Sequence, residues 1–327
     1  MLAPMRAALI TELSGPDAIE IAEIDDPKPG AKQVVVDVVA AGVNFPDLLM
    51  SRGLYQFRPP LPFAAGGEVA GTISALGAGV EGFAVGDRVM ALSYFGGFSE
   101  RVAIAAAQLL RIPEGMDDDV AASFSFTYAT SYHALVDRAR LQPGERLLVL
   151  GAAGGVGLAA VEIGAALGAE VIAAASTDEK LELCEAHGAT GRINYSTDDL
   201  KRSAKATGGI DVVYDPVGGA YSDPALRSLR PGGRHLVIGF AAGDIPAIPL
   251  NLPLLKQCSI VGVAWGAWAL ADPAGHTANM TALLDLWRAG KLRPHVSKRY
   301  SLDATAEALR DMDQRRVLGK VVVAPKG

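Results

Sequence analysis

Arg146-Leu147-Leu148-Val149-Leu150-Gly151-Ala152-Ala153-Gly154-Gly155-Val156-Gly157 decides the fold. A short apolar strand runs into a glycine-rich turn, and a helix carrying Ala160, Ile163 and Leu167 follows. Strand, glycine turn and helix in that order are the context a dinucleotide fingerprint requires. Glycine at 154 lets the backbone approach a pyrophosphate, and glycine at 157 lets helix and strand pack closely. Free N–H groups at the helix start bind the anion. The spacing is Ala152-x-Gly154-x-x-Gly157, with alanine in the usual first-glycine slot. Such a turn also occurs as a plain strand–helix connection, so the neighbouring elements decide between the two.

Those neighbours repeat the same unit. Apolar strands are expected at 170–174, 211–215, 234–239 and 259–263, with helices over 178–186 and 221–229. Apolar strands alternating with helices predict a parallel sheet buried on both faces. Toward the N-terminus the rhythm changes. Residues 34–39, 68–73 and 87–92 read as short strands bounded by glycine turns, as in a barrel or sandwich. Residues 1–13 read as a first strand, with no long apolar core of a signal peptide. A helix over 119–140 marks the change. Beyond Trp268 come helices over 278–289 and 304–315 and a last strand, 320–324. The expected division is a β-rich part in residues 1–126, a nucleotide-binding α/β domain in 127–267, and a return to the first part in 268–327.

The 327 residues suit about two domains. Half are hydrophobic, which excludes disorder as the dominant state. A net charge of −6 and a pI near 5.4 argue against a general nucleic-acid binder. Two distant cysteines, Cys184 and Cys258, exclude a cysteine-built zinc site and a disulfide framework. They read as reduced thiols in a cytoplasmic protein. No stretch is long and apolar enough to span a membrane. Gly-x-Ser-x-Gly, His-Glu-x-x-His and P-loop motifs are all missing, and the five histidines stand apart, each read as structural.

The end of the second strand selects the cofactor. An NAD site places Asp or Glu there to hold the ribose 2′-OH. This strand ends in Ala175-Ser176-Thr177 with Lys180 close by. A hydroxyl and an ammonium suit a 2′-phosphate, which favours NADPH. Two alternatives stay open. Ser176-x-x-Glu179 fits a capping box, leaving Lys180 a solvated charge. Asp178 is the ribose acid if the strand ends two residues later.

Taken together the motifs resemble a medium-chain dehydrogenase/reductase of the zinc-independent quinone oxidoreductase (zeta-crystallin-like) group. The marks are Gly42-Val43-Asn44-Phe45-Pro46-Asp47, Gly66-Gly67-Glu68-Val69-Ala70-Gly71, Val85-Gly86-Asp87-Arg88-Val89, Gly96-Gly97-Phe98-Ser99-Glu100, residues 152–157, Ile193-Asn194-Tyr195, Asp215-Pro216-Val217-Gly218-Gly219 and Gly319-Lys320-Val321-Val322. The resemblance covers almost the whole chain. It implies an α/β protein: a Rossmann-type parallel-sheet domain plus a GroES-like β-rich catalytic domain formed by both chain ends. Zinc-dependent relatives carry Cys and His where this chain has Asn44 and Gly67. Without a Lewis acid, acceptors that need only hydride delivery are expected: quinones, or alkenes conjugated to a carbonyl.

By matched position, the resemblance implies that Gly154, Gly155, Val156 and Gly157 carry the pyrophosphate. Ser176, Lys180 and Tyr195 would surround the 2′-phosphate. Phe240 and the backbone of Val263-Ala264-Trp265 would line the nicotinamide, in a cleft between the domains. Asn44 and Thr127 would sit at its face, and Lys320 would return to the cofactor. Tyr55 is the candidate proton donor, with a packed loop aromatic as its alternative. Asp47 and Glu68 read as structural, and no metal site is expected. The runner-up activity is reduction of enoyl or acryloyl thioesters. A reading of another class is a non-catalytic, crystallin-like binder of NADPH or nucleic acid. The apolar strand 259–263 reads as a sheet edge that pairs in a homodimer.

Overall fold

The computed structural model describes residues 4–326; residues 1–3 of the expected first strand lie outside the described residues. The chain divides into two compact units. One runs up to Phe126 and resumes at Pro294; the other is Thr127–Arg293. The second boundary lies later than the expected 267/268. The reason is the apolar stripe Met280, Leu283 and Leu284, which the helix over Pro273–Arg288 buries in the second unit. Asn279 on that helix donates to Asp137 at 2.7 Å.

The first unit begins with β1 (Met5–Ile10), β2 (Ile19–Ile24) and β3 (Gln33–Gly42), followed by α1 (Phe45–Ser51). Then come β4 (Phe63–Ala64), β5 (Glu68–Leu76), β6 (Arg88–Leu92), β7 (Arg101–Ala105), β8 (Leu109–Arg111) and α2 (Asp118–Ala121). β3 is a run of β-branched residues, and Val34, Val36 and Val38 on one of its faces are fully buried. The expected helix over 119–140 is broken. α2 stops at Ala121, and the Ser123 hydroxyl lies within hydrogen-bond reach of the Asp119 and Val120 carbonyls at the break. α3 (Ser125–Tyr132) then continues as a π-helix over His133–Arg138.

The second unit continues with β9 (Arg146–Leu150), α4 (Gly155–Ala166), β10 (Glu170–Ala175), α5 (Asp178–Ala186), β11 (Gly191–Asn194) and α6 (Leu200–Ala206). β12 (Ile210–Asp215), α7 (Ser222–Ser228), β13 (Leu229–Val237), α8 (Asn251–Lys256), β14 (Ser259–Gly262), α9 (Trp265–Ala271) and α10 (Pro273–Arg288) complete it. The six strands are all parallel, in the order β11-β10-β9-β12-β13-β14. The order reverses beside β9, the topological switch point where such sheets take nucleotides. β11 was not expected as a strand; it is four residues long, with an exposed Arg192.

The chain returns to the first unit with β15 (Val296–Ser301), α11 (Thr305–Asp313) and β16 (Lys320–Ala324). β16 pairs antiparallel with β3 at Val322↔Gly42 and Val323↔Ala41. Both chain ends therefore build the sheet β15-β16-β3-β5-β6-β8, with β7 also paired to β3 and a separate three-stranded sheet β2-β1-β4. Among the described residues no helix is long and apolar enough to cross a membrane.

Candidate active site

The turn after β9 is built as a cradle. Gly154 is the N-cap of α4, so the first N–H groups of the helix lack helical partners there. The residue that makes the turn is Gly151, at φ +58°, one position before the slot where the sequence shows alanine. An ideal Cβ on Gly157 would fall 2.3 Å from the Gly151 carbonyl oxygen, so only glycine lets α4 close onto β9. A Cβ on Gly154 would meet that oxygen at 3.4 Å, an ordinary contact. The protein itself does not demand glycine at 154, which fits a residue kept bare for an anion. Gly155 and Val156 open the same first turn.

The 2′-phosphate candidates come together at the tip of β10. Lys180 Nζ donates to Ser176 Oγ at 3.2 Å. Thr177, not Ser176, caps α5, its hydroxyl accepting from the Lys180 N–H. Ser176 is thus not spent as a helix cap. The Tyr195 backbone N–H donates to the Ala175 carbonyl, and its ring packs on Tyr221 with centroids 4.5 Å apart. Asp178 accepts from Asn194 Nδ2 and sits on the first turn of α5.

On the far side of the switch point, Asp215 at the end of β12 organises the loops. It accepts from the N–H groups of Val217 and Gly218 and from Ser222 and His235. Burial pushes its carboxyl up, but the His235, Gly218 and Ser222 bonds outweigh that and hold it below the usual range. Phe240 packs over Gly218, whose Cβ would sit 2.8 Å from the ring. Val263 donates to the Val237 carbonyl, and Trp265 starts α9 buried, its ring edge-on to His276. Thr127 is buried in α3, where its carbonyl accepts from Ser131.

In the first unit, β3 runs straight into a buried polar cluster. The Asn44 N–H donates to Asp47 Oδ2, and the Gly66 N–H donates to Asp47 Oδ1. Asn44 Nδ2 donates to Glu68 Oε1 at 3.0 Å and to the Gly42 carbonyl at 3.3 Å. Lys320, first residue of β16, donates to Asn44 Oδ1, Glu68 Oε1 and the Val43 carbonyl. Glu68 Oε2 accepts from the Phe126 N–H at 2.8 Å. The expected donation from Asn44 to an oxyanion therefore needs amide hydrogens that are committed here. The ammonium expected to reach a cofactor has all three hydrogens committed too. Burial pushes the Asp47 carboxyl up to about 6, against the backbone donors of Asn44 and Gly66 and the charge of Lys320. Tyr55 follows α1. It is half-buried against the core of this unit, and among the described residues its hydroxyl has no hydrogen-bond partner. Burial, then the charge of Asp47, raises its phenol above the ordinary value.

Sequence reasoning missed this cluster as a unit, because its members come from positions 44, 47, 68 and 320. It also missed the turn role of Gly151 and the Tyr221 platform under Tyr195.

Residues 30–114 match the family model described as alcohol dehydrogenase GroES-like domain, and 155–284 match zinc-binding dehydrogenase. Quinone oxidoreductase-like protein 2 of Rattus norvegicus is 39% identical, over 98% of this chain and 92% of the relative. A probable oxidoreductase from Mycobacterium abscessus has a TM-score of 0.89 at 38% identity, covering 99% of both chains. Escherichia coli quinone oxidoreductase, solved as a complex with NADPH, has a TM-score of 0.90 at 28% identity, covering 98% of this chain and 100% of that one. The chain belongs to the medium-chain dehydrogenase/reductase family, within its quinone oxidoreductase group. It is an oxidoreductase that works with a nicotinamide cofactor.

Proposed function

We propose that this oxidoreductase is an NADPH-dependent, zinc-independent quinone reductase. The observation that carries the choice of NADPH is the Lys180–Ser176 pair at the tip of β10, where the strand itself ends in Ala175 without an acid and the Asp178 carboxylate on α5 is occupied by Asn194 Nδ2. An ammonium and a hydroxyl attract a 2′-phosphate that an acid would repel. The glycine cradle at the start of α4 fits the pyrophosphate, its bare 154 position leaving room for close backbone approach. When bound, the cofactor supplies the hydride. Tyr195 and Tyr221 give the adenine end an apolar platform, and Phe240, Val263 and Trp265 line the nicotinamide end. Within the same unit, Thr127 would face the nicotinamide.

Tyr55 donates a hydrogen bond to the oxygen that gains charge on the acceptor, and then its proton. Its hydroxyl has no hydrogen-bond partner among the described residues, which supports that role over Asn44; burial makes the phenol a weaker acid than a free tyrosine, so it keeps its hydrogen for the bond and releases the proton only to a more basic oxyanion. The metal-free reading rests on the donor set. Asn44 and Gly67 offer neither thiolate nor imidazole where zinc-dependent relatives carry Cys and His. Among the described residues no three His, Cys, Asp or Glu side chains are grouped to hold a metal. A homodimer is supported by β14, an edge strand with Ile260 exposed, beside exposed Leu254 and Leu255 of α8. A cytoplasmic location fits Cys184 and Cys258, neither of them in a disulfide.

The test is NADPH oxidation at 340 nm with 1,4-benzoquinone, crotonyl thioester and acryloyl thioester at equal concentration. The quinone is expected to give the highest kcat/KM. A higher value for either thioester would move the enzyme to the alkene-reductase reading.

A further inference from the structure

Lys320 is 5% exposed, and its Nζ lies 2.6 Å from Asn44 Oδ1, 2.8 Å from the Val43 carbonyl and 2.9 Å from Glu68 Oε1. An ammonium has three hydrogens and no lone pair, so these contacts exhaust it. We propose that Lys320 is a positioning residue: it fixes the Asn44 amide and the Glu68 carboxylate and makes no contact with the cofactor. The proposal rests on the reductase reading for its catalytic consequence, though not for its structural one.

The chain of contacts runs in one direction. Asn44 Oδ1 turned toward Lys320 leaves Nδ2 aimed at Glu68 and Gly42, so the ammonium decides which way the amide faces. Glu68 Oε1 takes Lys320 and Asn44, while Oε2 holds the Phe126 N–H, the peptide just before Thr127. Gly42 walls the cluster closely. A Cβ on Gly42 would fall 2.2 Å from the Ala122 carbonyl and 2.5 Å from Glu68 Oε1. Lys320 opens β16, which returns from the far end of the sequence to pair with β3. One charge therefore ties the β3 exit, the β5 entry and the C-terminal strand together. Removing either partner alone leaves a buried charge uncompensated, so the informative change removes both.

The test compares wild type with the double variant Lys320→Met, Glu68→Gln, and with Lys320→Arg. In the double variant the side-chain amide introduced by Glu68→Gln keeps a carbonyl for the Phe126 N–H while both charges go. Three readouts are taken. NADPH affinity, measured by titration calorimetry at two salt concentrations, is expected to stay within threefold of wild type. The kcat with benzoquinone is expected to fall at least tenfold while KM for NADPH stays put. Exchange of the Asn44 side-chain amide hydrogens in the cofactor-free protein, followed by NMR, is expected to quicken at least tenfold. A tenfold, salt-sensitive loss of NADPH affinity would overturn the proposal, since Lys320 would then be a phosphate contact. Unchanged kcat with unchanged exchange would also overturn it. Lys320→Arg keeps the charge but cannot place its N–H groups on the same three acceptors, so it is expected to show part of the kcat loss and of the faster exchange; wild-type values for both would overturn the three-acceptor geometry. If wild type binds no NADPH, the reductase reading fails, and the exchange rates still decide the positioning role.

Discussion

Gly154 and Gly157 separate cofactor binding from folding. At Gly157 a Cβ would fall 2.3 Å from the Gly151 carbonyl oxygen and 2.9 Å from Ala152 Cα, both backbone atoms that cannot swing aside. Gly157→Ala must push α4 off β9. Overpacking of this kind costs about 1–3 kcal/mol. At about 2–4 °C per kcal/mol for domains of roughly this size, Tm should fall by about 2–12 °C. At Gly154 the nearest atom would be at 3.4 Å, and φ is −82°, open to any residue. Gly154→Ala gives up only a modest N-cap preference, about 0.5–1 kcal/mol. Its methyl group, however, would stand where a pyrophosphate approaches the first N–H groups of α4. NADPH affinity should fall about tenfold or more, a loss of about 1.4 kcal/mol or more. Differential scanning fluorimetry gives Tm and titration calorimetry gives Kd for both variants. If Gly154→Ala binds NADPH as tightly as wild type, the turn is not a pyrophosphate cradle. If Gly157→Ala melts with wild type, the close approach of helix and strand is wrong.

Other outcomes follow from the same geometry. Lys180→Ala should raise the Kd for NADPH about tenfold to a hundredfold, the range of a charge-assisted hydrogen bond of about 1.5–3 kcal/mol, and leave NADH within a few-fold. Equal losses for the two cofactors would remove Lys180 from the 2′-phosphate site. Tyr55→Phe should lower kcat/KM for benzoquinone about tenfold or more at an unchanged Kd for NADPH. Because burial and then Asp47 raise the Tyr55 phenol, its donor form persists to higher pH than a free tyrosine. The pH profile of kcat should therefore show no Tyr55-dependent fall below about pH 10. A fall that begins near neutral pH and disappears in Tyr55→Phe would contradict this. Replacing Ile260 with Lys should shift light scattering from dimer to monomer, and a wild-type monomer at micromolar concentration would rule the edge pairing out.

The parallel sheet was legible because its inner strands are written without ambiguity. Leu147 to Leu150 are all fully buried in β9, so their apolar run records two covered faces. β16 was legible to the residue for the same reason, with Val321, Val322 and Val323 buried. Strands β2 and β11 and helix α1 were not singled out, since each is short and half exposed or mixed in character. The break between α2 and α3 was invisible to periodicity, because the apolar residues on both sides of it, Ala121, Ala122, Phe124 and Ala129, are buried alike. The site splits along the same line. The cradle and the β10 tip are local in sequence, so their residues declared themselves. The Asn44–Glu68–Lys320 cluster joins residues up to 276 positions apart, and only the pairing of β16 with β3 brings them together.

The most direct test of nicotinamide-dependent hydride transfer is product analysis with the two NADPH forms deuterated on opposite faces of C4. Each is oxidised by the protein with benzoquinone, and the NADP⁺ formed is examined by mass spectrometry. A cofactor held on one face should give unlabelled NADP⁺ from one form and fully labelled NADP⁺ from the other. No oxidation with any acceptor, or the same mixed labelling from both forms, would contradict the account.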